Sequence, residues 1–350
     1  MLSRSLFALV LATIAGCSTV NPYFDPAIPH RARDGFHNNY PAGREGSYWT
    51  WQWDRWRDKL PRPPANDYHF PRAVVETAFL QSNRSEASVT WIGHSTVLLQ
   101  IGGLNVLTDP HLGERASPVS FAGPRRKVAP GLDYAQLPHI DAVVISHNHY
   151  DHLDVGTVTR LAAQAGGSPR FYVPLGLQRW FNGLGITDVV ELDWWDSREQ
   201  GGVRIHFVPV QHWSKRTLTD RDQTLWGAWV FEHPTLRAFF AGDTGYSPDF
   251  VDIGKKFGSF DFAALPIGAY EPRWFMSPYH VDPAEAIRIQ QDLHAKVALG
   301  IHWGTFELTD ESLDEPPLAL ARELAKQEIA PERFFVLNHG QTRRLGAAAR

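Results

Sequence analysis

The sequence has little of several features that define common protein classes. It contains one cysteine in 350 residues, which excludes a disulfide framework within the chain. Its 34 basic residues do not exceed its 38 acidic ones, and no run of five like charges occurs, so no nucleic acid is expected as a partner. Internal repeats of short period and low-complexity tracts are also missing. With 43% hydrophobic and 21% charged residues, the chain is neither disordered nor fibrous.

Two residue types are abundant instead. The 16 histidines point to a metal site or to acid/base chemistry, because imidazole is both a metal ligand and a base near neutral pH. The 13 tryptophans indicate large aromatic surfaces. At roughly 150 residues per domain, the length fits two domains or one larger sandwich.

Residues 1–16 are predicted to be a lipoprotein signal peptide. A short basic start precedes an apolar stretch from Leu6 to Ala15, which is too short for a membrane span of about 20 residues. The small residues before Cys17 resemble the lipobox of bacterial lipoproteins, which implies cleavage before Cys17 and its lipidation. The alternative is an ordinary signal peptide. Ser18 then implies a cell-envelope protein, on the periplasmic face of the outer membrane in a Gram-negative organism.

Residues 17–85 are predicted to form a lipidated tether and a Trp-rich arm. Residues 18–45 lack apolar periodicity and indicate a tether or an extended wrap. Trp49, Trp53 and Trp56 then recur at helical spacing. Two interpretations of this helix remain open: its Trp face docks on the main domain, or it dips into lipid headgroups.

Residues 86–345 are predicted to form one domain of the α/β class. Short apolar runs separated by glycine-containing turns predict a β-meander over residues 88–108. A continuous apolar run over residues 141–146 predicts a strand buried on both faces. Two strand-rich halves, each followed by helices, predict an αββα sandwich in which two sheets pack face to face with helices outside.

The segment that follows the buried strand reads His147-Asn148-His149-Tyr150-Asp151-His152. In an extended chain, His147 and His149 project to one side and can bind one metal ion. Asp151 and His152 then face a neighbouring ion where the chain turns into a helix. Imidazole nitrogen and carboxylate oxygen suit Zn²⁺ and related metals, whereas such a cluster buried without metal is electrostatically costly.

This pattern after an apolar strand resembles the signature of the metallo-β-lactamase fold. The resemblance implies a third histidine, a bridging aspartate and a fourth histidine at strand ends, which His212, Asp243 and His302 match. It also implies two Zn²⁺ ions, with other divalent metals not excluded, which activate a water between them. The implied ligands are His147, His149 and His212 for one ion, Asp151, His152 and His302 for the other, and Asp243 for both.

Longer motifs between about Trp91 and Gly340 indicate a more specific family within this fold. They include Trp91-Ile-Gly-His-Ser-Thr96, Phe240-Ala-Gly-Asp-Thr-Gly-Tyr246 and Pro266-Ile-Gly-Ala-Tyr-Glu-Pro-Arg-Trp-Phe-Met276. These motifs resemble the N-acylphosphatidylethanolamine-hydrolysing phospholipase D family of animals and its bacterial relatives. One departure is that the animal enzyme has Gln before the histidine that contacts the product amide, where this chain has Tyr279 before His280.

The resemblance implies further roles near the metals. Asp151, Asp243 and His280 are expected to take part in catalysis. His280 would contact the substrate or act as a general acid; the alternative is that it only forms local hydrogen bonds before the following helix. Asp109 is expected to orient a ligand histidine or to cap a turn. His94 is interpreted as local structure. The expected substrate contacts are Tyr150, Tyr270, Trp274, Phe275, Met276 and His280, with Tyr150 and the aromatic residues alternatively serving only as packing.

The implied function is a membrane-anchored zinc phosphodiesterase of phospholipase D type, which hydrolyses N-acylphosphatidylethanolamine to N-acylethanolamine and phosphatidate. Two alternatives remain open: a lactonase or soluble phosphoester hydrolase with the same metals, and a non-enzymatic lipid-binding envelope lipoprotein. The complete set of ligands argues against the non-enzymatic alternative. The expected partners are a phospholipid substrate and the membrane, and the animal relatives imply a homodimer.

Overall fold

The computed structural model describes residues 20–43, 46–64 and 67–346, and within them two seven-stranded sheets pack against each other. In spatial order, the first sheet contains β14 (Thr342–Arg344), β1 (Ser88–Gly93), β2 (Thr96–Ile101), β3 (Leu104–Thr108), β4 (Ala142–Val144), β5 (Arg170–Pro174) and β6 (Val189–Leu192). The second contains β13 (Phe334–Phe335), β12 (Val297–Ile301), β11 (Phe262–Pro266), β10 (Leu236–Phe240), β9 (Ala228–His233), β8 (Val203–Val208) and β7 (Ser197–Gln200).

The helices begin at local sequence signals. Asp154 caps α3 by accepting a hydrogen bond from the Thr157 N–H, and Asp282 forms a capping box with Glu285 at the start of α7. None of the helices in the described ranges is long and apolar enough to cross a membrane. The helices are α1 (Tyr48–Asp58), α2 (Thr77–Ser82), α3 (Val155–Ala162), α4 (Gln178–Gly183), α5 (Asp249–Phe257), α6 (Arg273–Met276), α7 (Pro283–Asp292) and α8 (Glu315–Lys326).

The hydrophobic core lies in two parts. One cluster joins the inner faces of both sheets and includes the fully buried rings of Trp91, Phe207 and Trp229. The other packs α3 and α4 onto the first sheet, where Val158 and Phe181 are buried. Full burial of a large apolar side chain contributes about 1.5–3 kcal/mol, so these layers stabilise the αββα sandwich that the sequence predicts.

The direction of the strands determines where a site can form. Strands β3 to β6 run parallel in the first sheet, and β10 to β13 run parallel in the second. Strand β8 points the same way as β10, because each pairs antiparallel with β9. Parallel strands need a crossover that returns the chain to the opposite edge. The segments that follow β4, β8, β10 and β12 therefore collect at one edge of the sandwich.

Several short elements are not foreseen by the sequence analysis. The predicted meander is present as β1 to β3, and the strand predicted over 141–146 is the shorter Ala142–Val144. Strands β7 and β14 lie at sheet edges and consist of polar residues that are partly or fully exposed, so they show no apolar alternation. Strand β6 and helix α4 are only four and six residues long, too short for a clear period.

The arm that precedes α1 lies against the sandwich. Residues 20–43 form an extended wrap, in which His30 and Arg31 contact the carboxylate of Asp193. Further along, the Tyr40 hydroxyl donates a hydrogen bond to Asp252. The described arm is therefore a packed part of the structure, while the predicted signal peptide and Cys17 lie outside the described residues.

Helix α1 docks through the face opposite to the one expected. Trp51 is 7% exposed, its ring stacks on Phe275 with centroids 4.8 Å apart, and its Nε1 donates to Asp310. The prediction that the other tryptophans dock on the main domain is wrong. Those tryptophans are the exposed ones: Trp49 (80%), Trp53 (60%) and Trp56 (72%).

Candidate metal centre

Histidine and aspartate side chains converge at the edge where the parallel strands end. The segment from His147 to His152 follows β4 of the first sheet, while the three other contributors follow strands of the second sheet. Those three are His212 after β8, Asp243 after β10 and His302 after β12. The fold thus brings together all seven residues that the sequence analysis proposes as ligands.

Three imidazoles form the first group. The Nε2 atom of His147 lies 2.8 Å from Nδ1 of His149, which lies 3.3 Å from Nε2 of His212. Ligand atoms of all three fall within 4.8 Å of one another, as required for binding a single ion. The His149 ring also meets Trp213 edge-on, with centroids 4.4 Å apart.

The second group surrounds two carboxylates. Oδ2 of Asp151 lies 3.3 Å from Nε2 of His152 and 3.4 Å from Nε2 of His302. Asp243 reaches the same two histidines, with Oδ2 3.1 Å from His152 and Oδ1 3.0 Å from His302. Its Oδ2 is also 3.9 Å from Nε2 of His147 and of His212. Asp243 therefore lies between the two groups and contacts both of them.

The electrostatics of the cluster favour a cation. Burial holds the pKa of His147 and His212 well below the ordinary value and lowers the pKa of His149 to about 4, so these rings are neutral near pH 7 and offer lone pairs. Burial opposes ionisation of Asp151 and Asp243, but attraction to the surrounding histidines, His152 first, outweighs it and keeps the pKa of both carboxyls well below the usual range.

The unpaired polar atoms fit the same conclusion. Nε2 of His149 is buried without a hydrogen-bond partner, and Nε2 of His302 and Oδ1 of Asp243 lie 3.0 Å apart without forming a hydrogen bond, which is costly in a low-dielectric interior. A metal ion would satisfy these atoms and offset the buried carboxylate charge. The donor set of imidazole nitrogens and carboxylate oxygens suits a divalent metal, so the residues present fit a divalent metal site.

Asp109 lies behind the cluster and contacts one of the histidines. Its Oδ2 is 2.7 Å from Nδ1 of His152, and it accepts hydrogen bonds from the Ser146 N–H and hydroxyl at 2.7 and 2.6 Å. The Ser146 hydroxyl oxygen is in turn 2.9 Å from Nδ1 of His147. The structure therefore shows the contact that would orient a ligand, and Asp109 does more than cap a turn.

A cavity of about 570 Å³ opens over the cluster, a size typical of small-molecule sites. On the metal side it is lined by His149, Asp151, Asp243 and His280. Nδ1 of His280 is 4.0 Å from Oδ2 of Asp243, so this ring lies beside the cluster. The remaining lining is largely apolar and includes Tyr48, Trp51, Trp213, Ala269, Phe275, Met276 and Leu308.

Three of the six expected substrate contacts do not line this cavity. Tyr150 lies in a neighbouring cavity, where its hydroxyl donates to the backbone oxygen of Arg216 at 2.8 Å. The Tyr270 ring is buried outside the cavity lining, and the Glu311 carboxylate accepts hydrogen bonds from the backbone of residues 269–271. Trp274 lies at the surface outside the cavity, whereas the other three line it: Phe275, Met276 and His280.

Two residues near the site escaped the sequence analysis. The sequence indicates only a local structural role for His94, but its Nε2 lies 3.0 Å from Oδ2 of Asp151 and its ring centroid is 4.1 Å from that of His302. The side chain of Asn38 in the arm forms two hydrogen bonds with the backbone of His212. It donates to the His212 oxygen at 2.9 Å and accepts from the His212 N–H at 3.1 Å. The available signal for His94 was its position at a strand end, which it shares with the ligands. No local signal marks Asn38.

Fold and site together define a metal-dependent hydrolase. The family model for the β-lactamase superfamily domain matches residues 104–303, and the chain belongs to this family. Within the superfamily, the chain is a relative of the N-acylphosphatidylethanolamine-hydrolysing phospholipases D, as its longer motifs indicate. It is 39% identical to N-acyl-phosphatidylethanolamine-hydrolyzing phospholipase D 1 of Caenorhabditis elegans over 264 residues, which cover 72% of this chain and 74% of that protein.

Two further comparisons are consistent with this placement. An uncharacterised protein of Mycobacterium tuberculosis is 40% identical over 265 residues, covering 74% of this chain and 68% of the relative. Among solved structures, the isothiocyanate hydrolase from Delia radicum gut bacteria superposes with a TM-score of 0.59 at 23% identity. That likeness covers 73% of this chain and 98% of the other, and it shows the fold.

Proposed function

We propose that the chain is a lipid-anchored phospholipase D that hydrolyses N-acylphosphatidylethanolamine to N-acylethanolamine and phosphatidate. The observation that carries the proposal is an apolar cavity that ends on a histidine and aspartate cluster. The similarity to the nematode phospholipase supports the choice of substrate. A soluble phosphoester or a small lactone lacks the long apolar chains that would pack against the aromatic and Met lining.

The lining of the cavity suits the two parts of such a substrate. Acyl chains would pack against Phe275, Met276 and Leu308, where apolar contact releases water. The phosphate would face the cluster, with Lys215 and Arg221 also in the lining to balance its negative charge. A charged headgroup and apolar chains therefore find complementary surfaces in one cavity.

We propose two zinc ions as the metals, held by the seven residues in the groups described above, with Asp243 common to both. When bound, such a pair neutralises phosphate charge and lowers the pKa of a water. The chain itself fixes the ligands through buried contacts such as that between Asp109 and His152. The Trp213 ring packs edge-on against His149 and lines the cavity beside it.

His280 is proposed to donate a hydrogen bond to the oxygen that leaves with the N-acylethanolamine. Burial lowers the pKa of His280 to about 4, so the ring is neutral and retains one N–H near pH 7. The backbone oxygen of His280 accepts a hydrogen bond from Arg273 at 2.7 Å, which holds the residue in place. The ring thus lies beside the cluster while its backbone is fixed from behind.

The anchor and location complete the proposal. We propose lipidation of Cys17 and attachment to the cell envelope, at the periplasmic face of the outer membrane if the organism is Gram-negative. A membrane anchor beside a lipid-cleaving site allows the substrate to stay in the bilayer during catalysis. Cysteine-directed lipid analysis of the membrane fraction, compared between the parent and Cys17→Ser, tests this part separately.

The substrate is tested by direct assay. The purified full chain is incubated with vesicles that contain N-acylphosphatidylethanolamine and, separately, with a lactone, and products and metal content are measured by mass spectrometry. Release of N-acylethanolamine and phosphatidate is expected, with activity lost on chelation and in Asp243→Asn. Hydrolysis of the lactone without hydrolysis of the lipid would overturn the proposal.

The role of His280 gives a sharper prediction. His280→Ala should leave the metal content intact and lower turnover of the lipid by tens- to a thousand-fold, since a lost hydrogen bond to a transition-state oxygen costs roughly 2–4 kcal/mol. A small diester with an activated leaving group should lose much less, because that group departs without help. Equal slowing of both substrates would show that His280 serves binding or structure instead.

A further inference from the structure

Exposed aromatic surface is concentrated at the edge of the sandwich that carries the metal cluster. Helix α1 lies there, because it packs on the segment that follows β12. Its outer face presents Trp49, Trp53 and Trp56, which expose most of their surface. Scattered exposed apolar residues are ordinary, but three tryptophans on one helical face form a patch that marks an interaction site.

This face is held rigidly outward by contacts on the inner side of the helix. Arg55 donates to the backbone oxygens of Leu308 and Thr309 at 3.1 and 3.3 Å, and its Nε lies 3.3 Å from Asp310. Trp51 donates to the same aspartate. Because the helix is fixed through these residues, its three outer tryptophans cannot turn inward without breaking the docking contacts.

We propose that the outer face of α1, formed by Trp49, Trp53 and Trp56, is a bilayer-docking surface that holds the cavity against the lipid interface. This assignment rests on the proposed function, which makes a membrane lipid the substrate. Tryptophan favours the headgroup region, where its large ring is buried and its N–H stays hydrated. An amphipathic helix lying in the interface plane uses such a face.

The same helix forms part of the route to the metals. Tyr48 and Trp51 line the cavity, whereas the outer tryptophans do not. One side of α1 is therefore a wall of the cavity and the other side is the proposed docking surface. A lipid that leaves the bilayer beside α1 would therefore enter the cavity that also reaches the cluster.

The lipidation of Cys17 proposed above would also bring this edge close to a membrane. Asn21 is 2% exposed and its side chain donates to the backbone oxygen of Ala32, so this residue is packed against the rest of the arm. Tyr23 then donates to Glu191 near the carboxyl end of β6, which is the metal edge. Cys17 precedes Asn21 by four residues, a span of at most about 14 Å. A lipid on Cys17 would therefore keep the metal edge near the bilayer.

The charges next to α1 favour a membrane over a second protein chain. Arg57 is paired with Asp54 and Asp58, but Lys59 and Arg62 follow the helix as exposed cations. Basic residues beside an interfacial helix attract anionic lipid headgroups. The occupant that fits tryptophans flanked by exposed cations is a bilayer that contains anionic lipid.

The test uses the full chain reconstituted into vesicles of phosphatidylethanolamine and phosphatidylglycerol, with a brominated phosphatidylcholine as quencher. Parent fluorescence is expected to be quenched, and Trp49→Ala/Trp53→Ala/Trp56→Ala should remove most of the quenching. Turnover of vesicle-borne N-acylphosphatidylethanolamine should fall roughly tenfold or more in this variant, given the large area that three rings bury. Hydrolysis of a soluble activated diester and the metal content should stay unchanged.

The matched control is Leu184→Ala/Leu318→Ala, which removes exposed apolar side chains from positions outside α1. It should retain both the quenching and the turnover of vesicle-borne lipid. Quenching that persists unchanged in the triple tryptophan variant would overturn the proposal. So would a parent that is not quenched, or a triple variant that changes only the oligomeric state. Quenching as expected without any diester or lipid hydrolysis would leave the docking surface standing and overturn the proposed function instead.

Discussion

Asp109 and His94 each contact one residue of the histidine and aspartate cluster on the side away from the cavity, and neither lines the cavity. Asp109 fixes His152 through its Nδ1, and His94 contacts the Asp151 carboxylate. Such outer partners set the orientation and protonation of a ligand, and their loss typically costs 10–100-fold in metal affinity or activity. Burial, followed by the nearby His302, lowers the pKa of His94 to about 3, so its ring is neutral and donates an N–H to Asp151.

A prediction at this scale concerns His94. His94→Ala should lower the affinity for one of the metal ions by roughly tenfold or more, because Asp151 loses a fixed hydrogen-bond donor. His94→Gln should restore part of the loss, since its amide can donate. The measurement is competition with a fluorescent zinc chelator.

The control for His94 is His206→Ala, which removes another histidine–carboxylate contact, 2.8 Å to Glu232, from the second sheet. That variant should keep the parent's metal affinity. If His94→Ala and His206→Ala both keep the parent's metal affinity, His94 has only a local structural role.

Among the elements, the arm acts as a brace for the metal centre. Asn38 forms hydrogen bonds with both the N–H and the C=O of His212, and it also accepts a hydrogen bond from Nε1 of Trp226 at 2.9 Å. His212 follows β8, where the chain has left the sheet and its N–H and C=O have no strand partner. The arm supplies these partners, so a segment outside the matched family region supports one of the proposed ligands.

Asn38→Ala should therefore weaken both the fold and the metal site. Each buried polar group left unpaired costs about 1–3 kcal/mol, so the unfolding temperature should fall by a few degrees or more. Metal affinity should fall with it, because His212 is no longer held. Calorimetry and metal titration measure the two effects.

The neighbouring residue offers a control for the arm. Asn39 donates to Asp249 at 2.9 Å without touching a cluster residue. Asn39→Ala should lower stability slightly and leave metal affinity unchanged. A metal affinity equal to the parent's in Asn38→Ala would show that the arm does not support the site.

At the scale of the whole molecule, the cluster joins the two sheets. The segment with His147 and His149 belongs to the first sheet, whereas His212, Asp243 and His302 belong to the second. Bound ions would link both sheets at one edge, in addition to the apolar core between them. Metal binding should therefore stabilise the sandwich as a unit.

Chelation tests this link. Removing the metals should lower the unfolding temperature, and restoring zinc should return it, because a ligand at a thousandfold excess over its Kd stabilises the native state by about 4 kcal/mol. In Asp243→Asn, added zinc should raise the unfolding temperature less than in the parent. An unfolding temperature that does not change, with metal loss verified by elemental analysis, would contradict the cross-link between sheets.

The sequence alone determined the features that depend on neighbouring residues. The alternation of apolar runs and turns predicted β1 to β3, and the continuous apolar run over residues 141–146 predicted the buried strand β4. The spacing of His147 and His149 predicted two side chains on one side of an extended segment, which the structure shows as adjacent imidazoles. Resemblance to a known family then supplied the distant cluster residues.

The tertiary structure decided what depends on contacts between distant segments. Asn38 and His212 are 174 residues apart, and only the path of the arm makes them partners. In α1, tryptophans occur on opposite faces, so the sequence does not show which face docks. Trp51 docks because it stacks on Phe275 and donates a hydrogen bond to Asp310. Local spacing fixes the direction in which side chains project, but the surface they meet is set by packing of the whole chain, which local spacing does not encode.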